Sequence, residues 1–258
     1  MNAMPKHLVC LSSTGGTGKT TVMDGVRNVC KKNNLPVAFM PSVMREFYAL
    51  QGMESEYDYL KLSVKEKNSF EIEKIKFYEL KINEFVGSCD EPIIVSDRSV
   101  VDFLAYGLVQ LAPMQLSPTR SDITNAAMVA IGVWRAVSKV DIITLPYPTP
   151  WVTQTNDGFR AVDMVKDEAV HACILAIIKD IESIAFVNRT VGIHHLQTFD
   201  LNQRVLYVVT KIKHILKTLE AAKPGQTPVM VADADATNPP SESAEPVTDA
   251  PLLGGSGV

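Results

Sequence analysis

Residues 13–20 read Ser-Thr-Gly-Gly-Thr-Gly-Lys-Thr. This run matches the phosphate-binding pattern G-x-x-x-x-G-K-[ST] except at Ser13, which stands where the pattern has its first glycine. Its chemistry is anion binding. Glycines let successive backbone N–H groups converge on a phosphate. A helix N-terminus directly after them adds free donors and a positive dipole end. Lys19 would reach the β- and γ-phosphates of a nucleotide, and Thr20 would offer its hydroxyl to Mg²⁺. Ser13, Thr14, Gly15, Gly16, Thr17, Gly18 and Thr21 complete the cradle. Ser13 is compatible with it, because that position leaves a strand and needs no positive φ. Gly15, Gly16 and Gly18 remain for the tight turns.

A second stretch, "IIVSDRSVVDFLAYGL", places Asp97 at the end of an apolar run. A carboxylate there can hold Mg²⁺ or take a proton from an attacking hydroxyl. Arg98 suits bidentate phosphate binding. The plainer reading is a helix N-cap followed by a surface arginine. Asp102 reads as a support or a surface residue, with a catalytic role as the alternative. In "LPYPTPWVTQTNDGFRAVDMV", Arg160 lies on a proline-rich stretch without periodicity. It is either a lid residue brought over the phosphates or part of an ordinary exposed loop. Arg45 follows a short strand, at the edge where an acceptor would bind, and either binds phosphate there or lies on the surface. Phe47 and Tyr48 beside it either stack on a base or pack in a core. His194 and His195 read as strand residues, since no cysteine or carboxylate is spaced to join them on a metal.

The elements that must position these residues alternate. Short apolar runs at 7–13, 37–40, 93–97, 140–145 and 191–197 predict five strands. Between and after them, 20–32, 65–85, 99–112, 122–137, 163–186 and 201–222 predict helices. Alternation of this kind implies parallel βαβ units, with strands covered on both faces. The expected fold class is α/β, a three-layer α/β/α sandwich around a mainly parallel five-stranded sheet. In such sheets ligands sit beyond the carboxyl ends of the strands, where the phosphate loop and Asp97 both fall.

The chain has 258 residues, 46% of them hydrophobic, enough for a real core. Its four cysteines lack C-x-x-C spacing, which suggests a reducing, cytoplasmic setting. No leader sequence or membrane-length apolar run is visible. The formal charge is -4, but five acidic residues lie beyond Pro224, where no Lys or Arg occurs. Without those five, 25 basic residues face 24 acidic ones. A neutral body of this kind argues against tight non-specific nucleic-acid binding. The expected organisation is one domain at 1–222 and a disordered, acidic Pro/Ala/Ser-rich tail at 223–258.

Taken with its motifs, the chain resembles the P-loop nucleoside and nucleotide kinases. It looks most like the thymidylate-kinase-like branch and the related ATPase/kinase domain of ribosylnicotinamide kinase. The resemblance rests on Ser13–Thr21, on Asp97-Arg98-Ser99, and on Asp157-Gly158-Phe159-Arg160 in the lid position. "PSVMREF" is similar to the family's P-E-x-x-R stretch, with Ser42 in place of the glutamate. The resemblance implies ATP and Mg²⁺ as cofactors. Lys19 and Thr20 would bind them, and Asp97 would be the base or metal partner. Arg98 and Arg45 would hold the acceptor, and Arg160 would steady the transferring group. The acceptor would be a small-molecule nucleotide or nucleoside, or a 5-hydroxymethyl-pyrimidine within phage DNA, as in kinases of this branch that modify DNA. A DNA acceptor needs a basic groove, for which Lys211, Lys213, Lys217, Arg120 and Arg135 are the candidates. The resemblance allows a homodimer and gives no role to a membrane. The reading from another class is a P-loop ATPase or nucleotide-dependent switch acting on a protein partner.

Overall fold

The computed structural model describes residues 6–111, 118–147, 164–185 and 190–222. Among these, five strands form one parallel sheet: β1 (His7–Ser12), β2 (Val37–Met40), β3 (Ile93–Ser96), β4 (Lys139–Thr144) and β5 (Val191–His195). Their order is β2-β3-β1-β4-β5. His7 of β1 lies beside Ile93 on one side and Lys139 on the other, which fixes the register of the central three strands. The sequence reading of a parallel α/β/α sandwich therefore holds.

Among the described residues eight α-helices flank the strands: α1 (Lys19–Lys32), α2 (Met44–Leu50), α3 (Glu56–Leu60), α4 (Val64–Ser88), α5 (Val100–Leu111), α6 (Arg120–Val133), α7 (Met164–Ala185) and α8 (Leu201–Ala221). Two of them, α2 and α3, fall in a stretch without strong periodicity and were not expected from the sequence. Each is no longer than seven residues. Tertiary packing holds them: Phe47 and Tyr48 of α2 and Tyr59 of α3 gather around Phe70 of α4, with centroids 4.9, 5.2 and 4.9 Å from that ring. Phe47 packs in this core, and Tyr48 both packs in it and lines the cavity shared with Arg45 and Arg98. The long helix α4 starts at a capping box, where the Glu66 carboxylate accepts from the Ser63 amide at 2.8 Å and the Ser63 hydroxyl accepts from the Glu66 amide at 3.3 Å.

Alternation sorts the strand residues between two faces. Leu8, Cys10, Ile94, Val140 and Ile142 pack against α4, α5, α6 and α7. The opposite face carries Asp141, buried, which accepts hydrogen bonds from His7 of β1 and from His194 of β5, the latter at 2.8 Å. Lys211 of α8 approaches the same carboxylate at 3.3 Å. Gly192 makes room for this cluster, since a Cβ there would fall 2.1 Å from Asp141 Oδ1.

The described residues up to Thr218 belong to one compact unit, and α8 ends at Ala221. The tail expected at 223–258 lies outside the described residues. No helix among those described is long and apolar enough to cross a membrane.

Candidate functional site

The chain leaves β1 at Ser12 and enters α1 at Lys19, so residues 13–18 form a tight loop at the carboxyl edge of the sheet. Gly16 has φ 70° and Gly18 φ 81°, left-handed values that a side chain would strain. Gly15 does not share them, and neither does Ser13, which is fully buried. The missing first glycine is thus explained, while Gly15 is not required by its φ. The amides of Gly16, Thr17 and Gly18 donate to no acceptor among the described residues. A row of such N–H groups opening a helix is an anion nest. Lys19 is buried within the loop, its ammonium donating to the Ser13 carbonyl at 2.6 Å and to that of Thr14.

Two buried side chains brace this loop from outside. Asp102 of α5 accepts from the Ser12 hydroxyl at 2.8 Å, the Ser13 amide at 3.0 Å and the Ser99 amide at 3.0 Å. Burial raises its pKa, and Lys19 and Arg98 oppose that shift. It is the support the sequence suggested. Arg204 of α8 was missed: its guanidinium donates to the Thr17 and Thr198 carbonyls, each at 2.8 Å. Nothing in the helical pattern of 201–221 marks it, because the contact spans 187 residues of chain.

Asp97 directly follows β3, one residue beyond the strand's end. Its Oδ2 accepts from the Thr20 hydroxyl at 3.3 Å. Its Oδ1 is buried without a hydrogen-bond partner among the described residues. A carboxylate oxygen in that state, next to a hydroxyl at the start of α1, fits a divalent cation, whose bonds would offset the cost of its burial. Thr20 and Asp97 are therefore the pair that would hold Mg²⁺.

Arg98 turns to a neighbouring cavity of about 110 Å³, lined also by Ser42, Arg45, Tyr48, Glu56 and Lys74. Arg45 and Arg98, distant in sequence, thus meet at one pocket. Arg98 makes no salt bridge among the described residues; its guanidinium lies 5.7 Å from the centroid of Tyr106. Burial lowers its pKa, but Tyr106, Asp102 and Asp97 outweigh this and leave it raised. Lys74 forms a buried ion pair with Glu71 of the same helix, and Lys166 of α7 pairs with Glu56 of α3 at 2.5 Å. With its amide turned to satisfy both ends, Gln110 donates to Tyr59 at 2.8 Å and Glu71 at 3.1 Å and accepts from Lys166 at 2.7 Å. The sequence reading passed over Lys74, Glu56, Lys166 and Gln110. For Tyr106 and Gln110 a signal exists, since both recur at four-residue steps from Asp102 on α5.

Arg160 lies outside the described residues. His194 and His195 point to structural partners: Asp141, and the Thr144 hydroxyl at 2.8 Å. Of the basic residues considered for a groove, Arg120 is paired with Asp180 at 2.6 Å and Lys211 with Asp141.

Strand order and loop geometry together define the fold as that of a P-loop α/β/α protein. No family model matches the chain, and no curated protein matches it. Among solved structures it is similar to the NadR protein in complex with NR, at 17% identity and a TM-score of 0.46. That match covers 80% of this chain and 52% of the other, so the chain spans about half the length of that structure.

Proposed function

We propose that the chain is an ATP-dependent kinase that transfers the γ-phosphate to a nucleotide-type acceptor bound beside Arg98. The observation that carries this reading is the 3.3 Å contact between Thr20 and Asp97. It sets a carboxylate beside the first turn of α1, and the next residue in the chain, Arg98, lines a pocket that also includes Arg45. A hydrolytic ATPase needs no such second pocket.

On this reading the loop amides and Lys19 hold the β- and γ-phosphates. Lys19 exchanges its carbonyl partners for phosphate oxygens as nucleotide binds. Thr20 and Asp97 would hold Mg²⁺, which would supply neutralisation of charge on the phosphate oxygens. Asp97 orients the acceptor and, for a hydroxyl acceptor, takes its proton as the new O–P bond forms. Arg98 offsets charge on the transferring group while the bond to the β-phosphate breaks and ADP leaves. Arg160 is proposed to add a second positive charge there. A free nucleotide is taken as the first acceptor to test, since two of the five basic residues considered for a DNA groove, Arg120 and Lys211, are engaged in ion pairs.

The test is transfer of label from γ-labelled ATP with Mg²⁺ to dTMP, other deoxynucleoside monophosphates, nucleosides, ordinary DNA, and DNA containing 5-hydroxymethyluracil. Label on a monophosphate is the expected result. Label confined to modified DNA would replace the acceptor with a base in DNA. Phosphate released to water whatever the acceptor would overturn the kinase reading in favour of an ATPase.

A further inference from the structure

Tyr106 of α5 stands between the two halves of the site. Its hydroxyl accepts from the Gly15 amide of the phosphate loop at 3.0 Å. The same hydroxyl donates to Asp167 Oδ1 at 3.3 Å. Asp167 is buried in the first turn of α7. The ring of Tyr106 lines the cavity that holds Arg45 and Arg98. Two cations share that ring, the Arg98 guanidinium at 5.7 Å and the Lys166 ammonium at 5.8 Å from its centroid. Lys166 in turn reaches Glu56 on the far wall of the cavity.

One side chain thus touches the loop backbone with its hydroxyl and the neighbouring pocket with its ring. We infer that Tyr106 is a positioning residue that couples the phosphate loop to the acceptor pocket, an inference that rests on the kinase reading above. Its hydroxyl fixes the Gly15 end of the loop, so that the N–H groups of Gly16, Thr17 and Gly18 stand ready for phosphate. An acceptor in the cavity packs against the ring and its two cations, and so holds the ring in the position in which the hydroxyl serves both Gly15 and Asp167. Nucleotide binding is then tighter when the acceptor pocket is filled, and reciprocally.

The variant that isolates the hydroxyl is Tyr106→Phe, which keeps the ring and its cations. The probe is Mg²⁺ with a fluorescent ADP, titrated into the full chain with and without dTMP, beside thermal unfolding of each protein. The expected result is about 5-fold weaker ADP binding by Tyr106→Phe, the size of one lost hydrogen bond. The tightening that dTMP produces in the wild type is expected to vanish, with little change in unfolding temperature. Asp167→Asn, which leaves Tyr106 whole, is expected to move ADP affinity in the same direction by less. Wild-type ADP affinity and wild-type dTMP response in Tyr106→Phe would overturn the coupling and leave the kinase reading standing. So would a loss of affinity that merely follows a lowered unfolding temperature in both variants. A wild type that binds no ADP would remove the kinase reading, and this inference with it.

Discussion

The Arg204 guanidinium donates to the Thr17 carbonyl of the phosphate loop at 2.8 Å and, through Nε, to the Thr198 carbonyl at 2.8 Å. The last helix therefore holds the first loop in place through a charged group that is almost fully buried. Arg204→Met keeps much of the volume but strands both carbonyls. The expected cost is about 3 kcal/mol, since hydrogen bonds from charged groups are worth roughly 1.5–3 kcal/mol each. That corresponds to a fall in unfolding temperature of about 6–12 °C. Nucleotide affinity is expected to fall with it, because Thr17 lies in the nest. Unfolding followed by circular dichroism checks the first part. An unchanged melting curve would mean that solvent reaches and satisfies both carbonyls.

Lys19 carries the most direct prediction. It is the cation that the loop wraps, and nothing else among the described loop residues supplies positive charge to the phosphates. Lys19→Ala is expected to lower phosphotransfer by at least about 100-fold, the scale of losing one preorganised charged donor. Folding is expected to survive, because the loop carbonyls that Lys19 contacts become open to water. Transfer assays with γ-labelled ATP and a melting curve on the same sample separate these effects.

For Asp97 the split between binding and turnover is the informative quantity. A residue that orients the acceptor or takes its proton acts on the transition state. Asp97→Ala is therefore expected to lower kcat by about 100-fold or more. Its effect on ADP affinity measured without metal is expected to be within about 3-fold, an order-of-magnitude expectation for a group that reaches phosphate only through the cation. Equal losses in kcat and in metal-free affinity would make Asp97 a nucleotide-binding residue with no separate catalytic role.

The sheet and the phosphate loop were legible in the sequence because each writes a local signal. The strands are continuous apolar runs, and Gly16, Gly18, Lys19 and Thr20 sit at fixed offsets. Asp97 was legible for a similar reason, as the carboxylate ending a short strand. The acceptor side was not. Helices α2 and α3 are too short to show a period, and they hold together through rings from α4 rather than through their own propensity. Lys74 and Lys166 look like surface charges in sequence. Lys74 lines the pocket and pairs with Glu71, while Lys166 reaches the Glu56 that lines it. Arg204 is the extreme case, since its partner is a backbone carbonyl, which has no sequence signature at all.

Asp141 is outside the site, and its chemistry bears on stability. Burial alone would raise its pKa; the hydrogen bonds from His194 and His7 and the charge of Lys211 outweigh that and hold it well below the ordinary carboxylate range. A carboxyl group whose pKa is depressed by folding stabilises the native state above its unfolded pKa, about 3.9. That contribution is lost as pH falls through the native pKa. Asp141→Asn keeps the shape and removes the charge. At pH 7 it is expected to cost about 3 kcal/mol, the lower end for breaking a buried charged set. The gap between wild type and variant should be complete above about pH 5 and narrow steadily below about pH 4, as the carboxylate takes up a proton in the unfolded chain while staying ionised in the native one. Denaturant unfolding at pH 7, 5, 4 and 3 measures that gap directly. A gap that stays constant down to pH 3 would mean that Asp141 stabilises the sheet by its shape and hydrogen bonds, with its charge contributing nothing.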